Sequence, residues 1–288
     1  MSGMDSTDWP APAKLNLMLR IVGQRDDGYH LLQTVFQFLD KGDRLGFRLR
    51  DDGKIVRLRD IHGVAANDDL VVRAARLLQE HAGVGYGVDI LLDKRLPMGG
   101  GLGGGSSDAA TTLVALNHLW KVGLDFSQLT ELGLSLGADV PVFIRGEAAW
   151  GEGVGERLQT LVLPEPWYLV IIPPCHVSTA DVFTDPQLTR DSPRMKIADF
   201  LAGSARNDCL DVVVKNYPEV AAALEWLGQY AEARLTGTGA CIFAAFESEA
   251  SAQSLLERLP AGNQGFVARG VNHSPLKGCL ESRVAAGG

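Results

Sequence analysis

Cysteine is scarce in this chain, four residues among 288, and no two stand within thirty positions of each other: Cys175, Cys209, Cys241 and Cys279 form no C-x-x-C pair. Thiols scattered in that way argue against both a disulfide frame and a zinc site, and favour a reducing compartment, the cytoplasm. The six histidines are equally dispersed, with no H-E-x-x-H and no pair at helical i, i+4 spacing, so a His/Cys metal centre is not expected. No apolar run approaches the ~20 residues that a bilayer-crossing helix requires. The N-terminus lacks a basic segment leading into an apolar run, so neither a membrane span nor a secretory leader is expected. Positive charge is not concentrated either. The 27 basic residues are dispersed among 35 acidic ones for a net charge of -8, which argues against an extended nucleic-acid surface.

What the chain does have is 46% hydrophobic residues, ample for a core in one large domain or two modest ones. Strict alternation from Leu15 to Ile21 predicts a strand with Asn16, Met18 and Arg20 on its polar face. Beyond the turn at Arg25–Gly28, the run Leu32–Leu39 and the alternation of Leu45, Phe47 and Leu49 predict further strands. Asp51-Asp52-Gly53 then turns the chain into Lys54–Arg59, giving an antiparallel sheet of hairpins over the first sixty residues. Leu70, Ala74, Leu77 and Leu78 recur at helical spacing behind Asp68 and Asp69, which suit the helix N-terminus. Val88, Ile90 and Leu92 alternate as a strand, and AATTLVALNHLW predicts a helix for which Ser106 or Ser107 is a ready N-cap. A third helix over Ser127–Leu136 ends at Gly137, leaving Asp139 on a loop. Two prolines in Leu163–Pro166 mark a boundary. Beyond it come a strand at Trp167–Ile172, helices near Val212–Tyr230 and Glu249–Leu259, and strands at Ala240–Phe246 and Gly265–Val271. The expected fold class is α+β in two domains, 1–163 and 164–288.

Between the Val88–Leu92 strand and the next helix lies PMGGGLGGGSSD, with six glycines from Gly99 to Gly105. Backbone amides unshielded by side chains, at the positive end of a helix, suit a phosphate. Walker A requires a lysine before the hydroxyl residue, and Ser106 follows Gly105 directly. Gly99-x-Gly101-x-x-Gly104 does satisfy the dinucleotide fingerprint, but the acidic residue about 20 positions on, Asp125, falls between two helices instead of ending a strand. A plain flexible linker is the bland alternative, set against a strand and a capped helix flanking the glycines closely.

PAPAKLNL at Pro10–Leu17, PMGGGLGGGSSDAA at Pro97–Ala110 and LTGTGACIF at Leu235–Phe243 resemble, in order, the three motifs of the GHMP kinase superfamily. With GQRDDGYHLLQTVFQFLD and GADVPVF, the likeness spans nearly the whole chain and is nearest the branch whose acceptor is a cytidine-diphosphate-linked methylerythritol. The resemblance implies a ribosomal-protein-S5-like N-terminal domain packed on a ferredoxin-like C-terminal domain. It implies transfer of the ATP γ-phosphate to a 2-hydroxyl in the cleft between them, in non-mevalonate isoprenoid precursor synthesis. The protein would be a cytoplasmic monomer or homodimer acting on a small molecule, with no nucleic acid or membrane partner.

Carried over residue by residue, Lys14 and Asp139 act together at the acceptor hydroxyl, an arrangement that suits the chemistry. An alcohol is a weak nucleophile at neutral pH, so a carboxylate must take or orient its proton while an ammonium offsets charge on nearby oxygens. ATP would be held by Lys94, Pro97, Met98, Gly99, Gly100, Gly101, Leu102, Gly103, Gly104, Gly105, Ser106 and Ser107, with Asp69–Val72 near the adenine. The substrate would be held by Asn16, Tyr29, His30, Thr179, Phe183, Gly237, Thr238 and Gly239. Tyr29 and Phe183 would stack on the two faces of the cytosine, and His30 would read its edge. Phe36 belongs beside Asn16 or in the core, and Cys241 suits a small buried packing position better than a nucleophile. Mg2+ is expected with ATP, but Gly105 stands where several relatives place a magnesium-binding serine, so the metal's protein ligands stay unassigned. Kinases of mevalonate, homoserine or a sugar, a non-catalytic ligand sensor on the same fold, and an NAD-dependent oxidoreductase are the competing readings.

Overall fold

The alternation around Leu15 belongs to a strand much longer than the pattern marks. In the computed structural model, which describes residues 6–286, β1 runs from Ser6 to Gln24 and pairs antiparallel with β2 (His30–Arg50). The outermost residues of the two expected domains, 1–5 and 287–288, lie outside the described residues. The two β runs expected within 32–49 are one continuous strand, β2. Register shifts between Pro12 and Lys14 and between Asn16 and Met18 break the alternation of β1, because a bulge inserts one residue and exchanges the faces beyond it. Met18, expected on the polar face, is therefore buried with Val35 and Trp150.

The hairpin expected beyond Gly53 does not form. β3 (Ile55–Arg57) lies parallel to β4 (Gly87–Asp93), because α1 (Leu70–Ala82) crosses between them, the connection that parallel neighbours require. Asp69 caps α1, accepting from the Val71 amide, and is ion-paired to Arg57. α2 (Gly104–Leu119), α3 (Phe126–Leu134), α4 (Val140–Arg145) and the hairpin of β5 (Ala149–Gly153) and β6 (Arg157–Thr160) complete the first half. Its core gathers Trp9, Phe38, Phe47, Leu78, Leu113, Leu116 and Phe143. Each such side chain contributes about 1.5–3 kcal/mol on burial.

In the second half come β7 (Trp167–Ile172), α5 (Thr179–Thr184), α6 (Ile197–Leu201), α7 (Leu210–Asn216), α8 (Pro218–Gly228), β8 (Arg234–Leu235), β9 (Ile242–Phe246), α9 (Glu249–Leu256), β10 (Gln264–Val271) and α10 (Pro275–Ala286). The single helix expected near Val212–Tyr230 is two, divided at Pro218, which has no amide to continue the ladder. The strands run antiparallel in the order β10-β7-β9-β8, the βαββαβ arrangement of a ferredoxin-like domain. β10 also pairs with β2 at Gly270 and Val271, so one continuous sheet joins the halves. α10 returns to the first half, where Leu276, Cys279 and Leu280 pack into its core. Among the described residues, no helix is long and apolar enough to cross a membrane.

Candidate active site

The glycine segment meets the two other motifs, the Lys14 stretch of β1 and residues 236–241 between β8 and β9. Its carbonyls are all engaged: Gly99 O and Gly100 O accept from the amides of Ala240 and Cys241, Gly101 O from Thr236 Oγ1 and Lys14 Nζ, and Leu102 O from the Lys14 amide. Its amides are not. Among the described residues, no hydrogen bond is donated by backbone amides 101–106. The segment therefore turns one polar edge into the fold and leaves the other bare, next to the N-terminus of α2, where an anion is favoured. Serine does not cap α2. The N-cap is Gly103, with no side-chain cap bond. Ser107 is wholly buried in the first turn, its amide given to Gly103 O and its hydroxyl without a partner, so it does not reach the cavity.

Lys14 is 3% exposed and points its ammonium at three oxygens: Asn16 Oδ1 at 2.5 Å, Gly101 O at 3.1 Å and Asp139 Oδ2 at 3.2 Å. Asp139 occupies the N-cap position of α4, yet its side chain caps nothing. The loop expectation is thus refined: Asp139 immediately precedes a helix, and its carboxylate, 34% exposed, is spare for Lys14 and for whatever enters the cavity. The placement of α4 depends on Gly133 of α3. A Cβ there would lie 2.6 Å from Ile144 and 2.8 Å from Val140, so only glycine lets the two helices approach closely enough to bring Asp139 to Lys14.

Asn16 gives both ends of its amide to the protein, Oδ1 to Lys14 and Nδ2 to Thr34 Oγ1. The structure thus uses it first to hold the lysine. Phe36 is buried, with Lys14 Nζ 5.7 Å from its ring centroid. Beside the glycine segment, Lys94 Nζ lies 2.5 Å from Asp43 Oδ2 and 2.8 Å from Asp108 Oδ2. Asp43 also accepts the amides of Arg95 and Leu96, anchoring the chain as it leaves β4. Burial pushes the Asp108 carboxyl up to about 7, with Lys94 opposing and Asp43 reinforcing the shift. Burial by itself would lower the Lys94 ammonium, but the two carboxylates more than offset that and hold it above the usual lysine value.

A carboxyl at 3.8 when unfolded and about 7 when folded adds stability that is complete below the lower value and lost as pH rises through the upper one. Asp108→Asn is therefore expected to flatten the fall of Tm across that window, measured by thermal unfolding against pH. An unaltered slope would exclude Asp108 as its source.

Lys14, Asn16, Phe36, Lys94, Asp108 and Asp139 line one cavity of about 1150 Å³, above the ~300–1,000 Å³ of a single small-molecule pocket, so two ligands can meet in it. At one end are Lys94, Pro97, Met98, Gly99–Gly105 and Ser106, with Ile61, Val64, Asp68, Asp69, Leu70 and Leu92. Of the stretch expected near adenine, Val71 and Val72 turn instead into the core. At the other end are Tyr29, His30, Thr179, Phe183, Thr184 and Arg190, with Gly237 and Thr238 between. Gly239 does not reach the cavity: it faces Leu235, Val213 and Val177. Phe183 stacks on His30, centroids 4.9 Å apart at 19°, whereas Tyr29 is 61% exposed at the turn after β1. Cys241 is buried beneath Gly100, with burial pushing its thiol up to about 12, which suits packing and not attack. Asp125 caps α3 in a capping box with Gln128, so it cannot serve as the ribose-binding acid of a dinucleotide fold.

Sequence inspection missed Asp43, Asp108, Thr34 and Arg190. Thr34 and Asp108 lie inside the motifs quoted above but were given no role, while Asp43 and Arg190 stand outside them, and the partners that matter, Lys94 for Asp43 and His30 for Arg190, are 51 and 160 positions away.

Comparison with known proteins places these features in a lineage. The family models for the GHMP kinases N terminal domain and the GHMP kinases C terminal match residues 69–147 and 194–264. A Thiobacillus denitrificans protein named 4-diphosphocytidyl-2-C-methyl-D-erythritol kinase is 59% identical over 271 residues, covering 94% of this chain and 98% of that one. A crystal structure of 4-(cytidine 5'-diphospho)-2C-methyl-D-erythritol kinase superimposes with a TM-score of 0.78 at 34% identity, covering 91% of this chain and 98% of the other. Homoserine kinase from Cytophaga hutchinsonii has a TM-score of 0.65 over 95% and 97% of the two chains, but at 18% identity the likeness is one of fold alone.

Proposed function

Since the chain belongs to the GHMP kinases, and within them to the 4-diphosphocytidyl-2-C-methyl-D-erythritol kinases, we propose that Lys14 and Asp139 serve the transfer of the ATP γ-phosphate to the 2-hydroxyl of that cytidine-linked polyol. The products are the 2-phosphate and ADP, and the step belongs to non-mevalonate isoprenoid precursor synthesis. The observation that carries the reading is the Lys14–Asp139 pair at 3.2 Å, lying in the same cavity as the bare amides of the glycine segment.

In this reading amides 101–106 and the α2 terminus hold the triphosphate, with Lys94 beside them. Asp139 accepts a hydrogen bond from the acceptor hydroxyl and takes its proton as the new O–P bond forms and the bond to the ADP oxygen breaks. Lys14 offsets the charge gathering on the phosphoryl oxygens. Such a loose transition state asks chiefly for alignment and charge neutralisation. Magnesium enters as the partner of ATP. Among the described residues no group of three or more His, Cys, Asp or Glu side chains is arranged to cage an ion; magnesium with ATP takes one or two carboxylates at most beside the phosphate oxygens, and no step is routed through it.

Tyr29, His30 and Phe183 are assigned to the cytosine, with Tyr29, free and exposed, closing over it on binding. Stacking on a base is worth roughly 1–3 kcal/mol, so Tyr29→Ala should raise KM for the cytidine substrate about tenfold or more and leave KM for ATP nearly unchanged. Equal rises in both would remove the stacking role. The reading as a whole is tested by ADP release coupled to phosphorus NMR of the product. Turnover is expected with the cytidine-linked alcohol, and turnover confined to homoserine or mevalonate would overturn it.

A further inference from the structure

We propose that Arg190 is a specificity-positioning residue: it fixes His30 as the tautomer protonated on Nδ1, so that His30 presents a hydrogen-bond donor to the acceptor edge of the substrate's pyrimidine. The proposal rests on the assignment above of this end of the cavity to cytidine.

Arg190 Nε lies 3.2 Å from His30 Nε2. A guanidinium nitrogen only donates, so Nε2 must offer its lone pair, and the single ring proton of the neutral imidazole then sits on Nδ1. Arg190 is not free to turn away. Its Nη2 donates to Phe183 O at 2.8 Å and Asp185 O at 2.9 Å, and its Nη1 to Leu188 O at 3.1 Å. Three carbonyls of the segment that carries Phe183 thus aim the guanidinium at His30. Phe183 stacks on the imidazole at 4.9 Å and sets its plane. Burial and the neighbouring Arg190 charge both lower the His30 pKa, which keeps the ring neutral.

Among the described residues His30 Nδ1 has no hydrogen-bond partner, and His30, Phe183 and Arg190 all line the cavity. The edge of cytosine offers acceptors at N3 and O2 beside its N4 amino donor. A lone pair on the protein would suit only the amino group, whereas an N–H suits N3 or O2. Arg190 therefore decides which part of the base His30 can address, without touching the base itself.

The test is long-range 1H–15N NMR of the imidazole nitrogens in the free, 15N-labelled protein, with His30 assigned through the loss of its signals in His30→Gln. Wild type should show a protonated Nδ1 and a bare Nε2. Arg190→Met should shift the pattern toward the commoner Nε2–H form. It should also raise KM for the cytidine substrate roughly tenfold, leaving kcat and KM for ATP near wild type. His30→Gln, whose amide keeps an acceptor for Arg190 and a donor for the base, should bind that substrate more tightly than His30→Phe. A wild-type spectrum with the proton on Nε2 overturns the proposal even if Arg190→Met does not fold, as does an unchanged tautomer in that variant. An active wild type with the wrong tautomer sinks only this inference; a wild type that phosphorylates no cytidine-linked alcohol sinks the function proposed above.

Discussion

Asp139→Ala should stop turnover and leave ATP bound. The carboxylate caps no helix and is about one-third exposed, so its removal withdraws little from the fold. Lys14 keeps Asn16 Oδ1 and Gly101 O as acceptors, so the ammonium is not stranded without partners. What disappears is the carboxylate that, among the described residues, is ion-paired to Lys14 and lines the cavity, the group placed to accept the hydroxyl proton. General-base or orienting groups of this kind contribute roughly 10²–10⁴ in rate, and kcat should fall by that factor. ATP affinity, measured by calorimetry, should stay near wild type, since the bare amides are untouched. Asp139→Asn, which keeps the shape but accepts a proton poorly, should fall nearly as far. Turnover within a few fold of wild type in either variant would remove Asp139 from the chemistry.

Gly101→Ala should be comparably damaging by a different route. Gly101 adopts φ +74°, and a Cβ there would lie 2.1 Å from the Thr236 carbonyl oxygen. The left-handed backbone alone costs about 1–3 kcal/mol for a residue other than glycine, and the clash is with backbone that cannot swing aside. Gly101 O accepts from both Lys14 Nζ and Thr236 Oγ1, so displacing it moves the lysine and opens the junction between the halves. Displacements on the order of 1 Å can lower rates by about 10², so kcat should fall at least that far, accompanied by a drop in Tm and weaker ATP binding. Gly105→Ala makes the control, because a Cβ there meets only Leu70 at 3.4 Å. A Gly101 variant as active as the Gly105 variant would show that the close approach is not needed.

Much of the fold was legible wherever a segment's environment is one-sided. The Leu70–Ala82 helix and its Asp69 cap agree with the pattern, because periodicity and capping are local. Legibility failed where distant chain decides. Nothing near Met18 announces the bulge that turns it inward, since the bulge is imposed by pairing with β2. Nothing near Ser107 announces that α2 starts at Gly104, because the glycine segment is held from outside by Ala240, Cys241 and Lys14. Of the candidate site residues expected from the motifs, all but Ser107 and Gly239 line the cavity. Asp43 and Arg190 escaped notice, standing in stretches with no signature of their own, and Asp108, although inside the glycine motif, gained its role only from Lys94 and Asp43 beside it.

By itself the sequence determined the chemistry on offer: a run of glycines whose amides no side chain can shield, one lysine and one aspartate in otherwise apolar settings, and a tyrosine next to a histidine. Each of those properties belongs to the residues and survives any fold. Only the tertiary structure decided their use. It turned the glycine carbonyls inward and left the amides bare, drew Asp139 to Lys14 through the missing side chain of Gly133, and set Arg190 against His30. Hydrogen bonding and charge pairing act over a few ångströms, while partners at this site can lie 220 positions apart in the chain, as Asn16 and Thr236 do. Such pairings exist only once the chain has folded, and those of Arg190 with His30 and of Asn16 with Thr236 only once the two halves have packed.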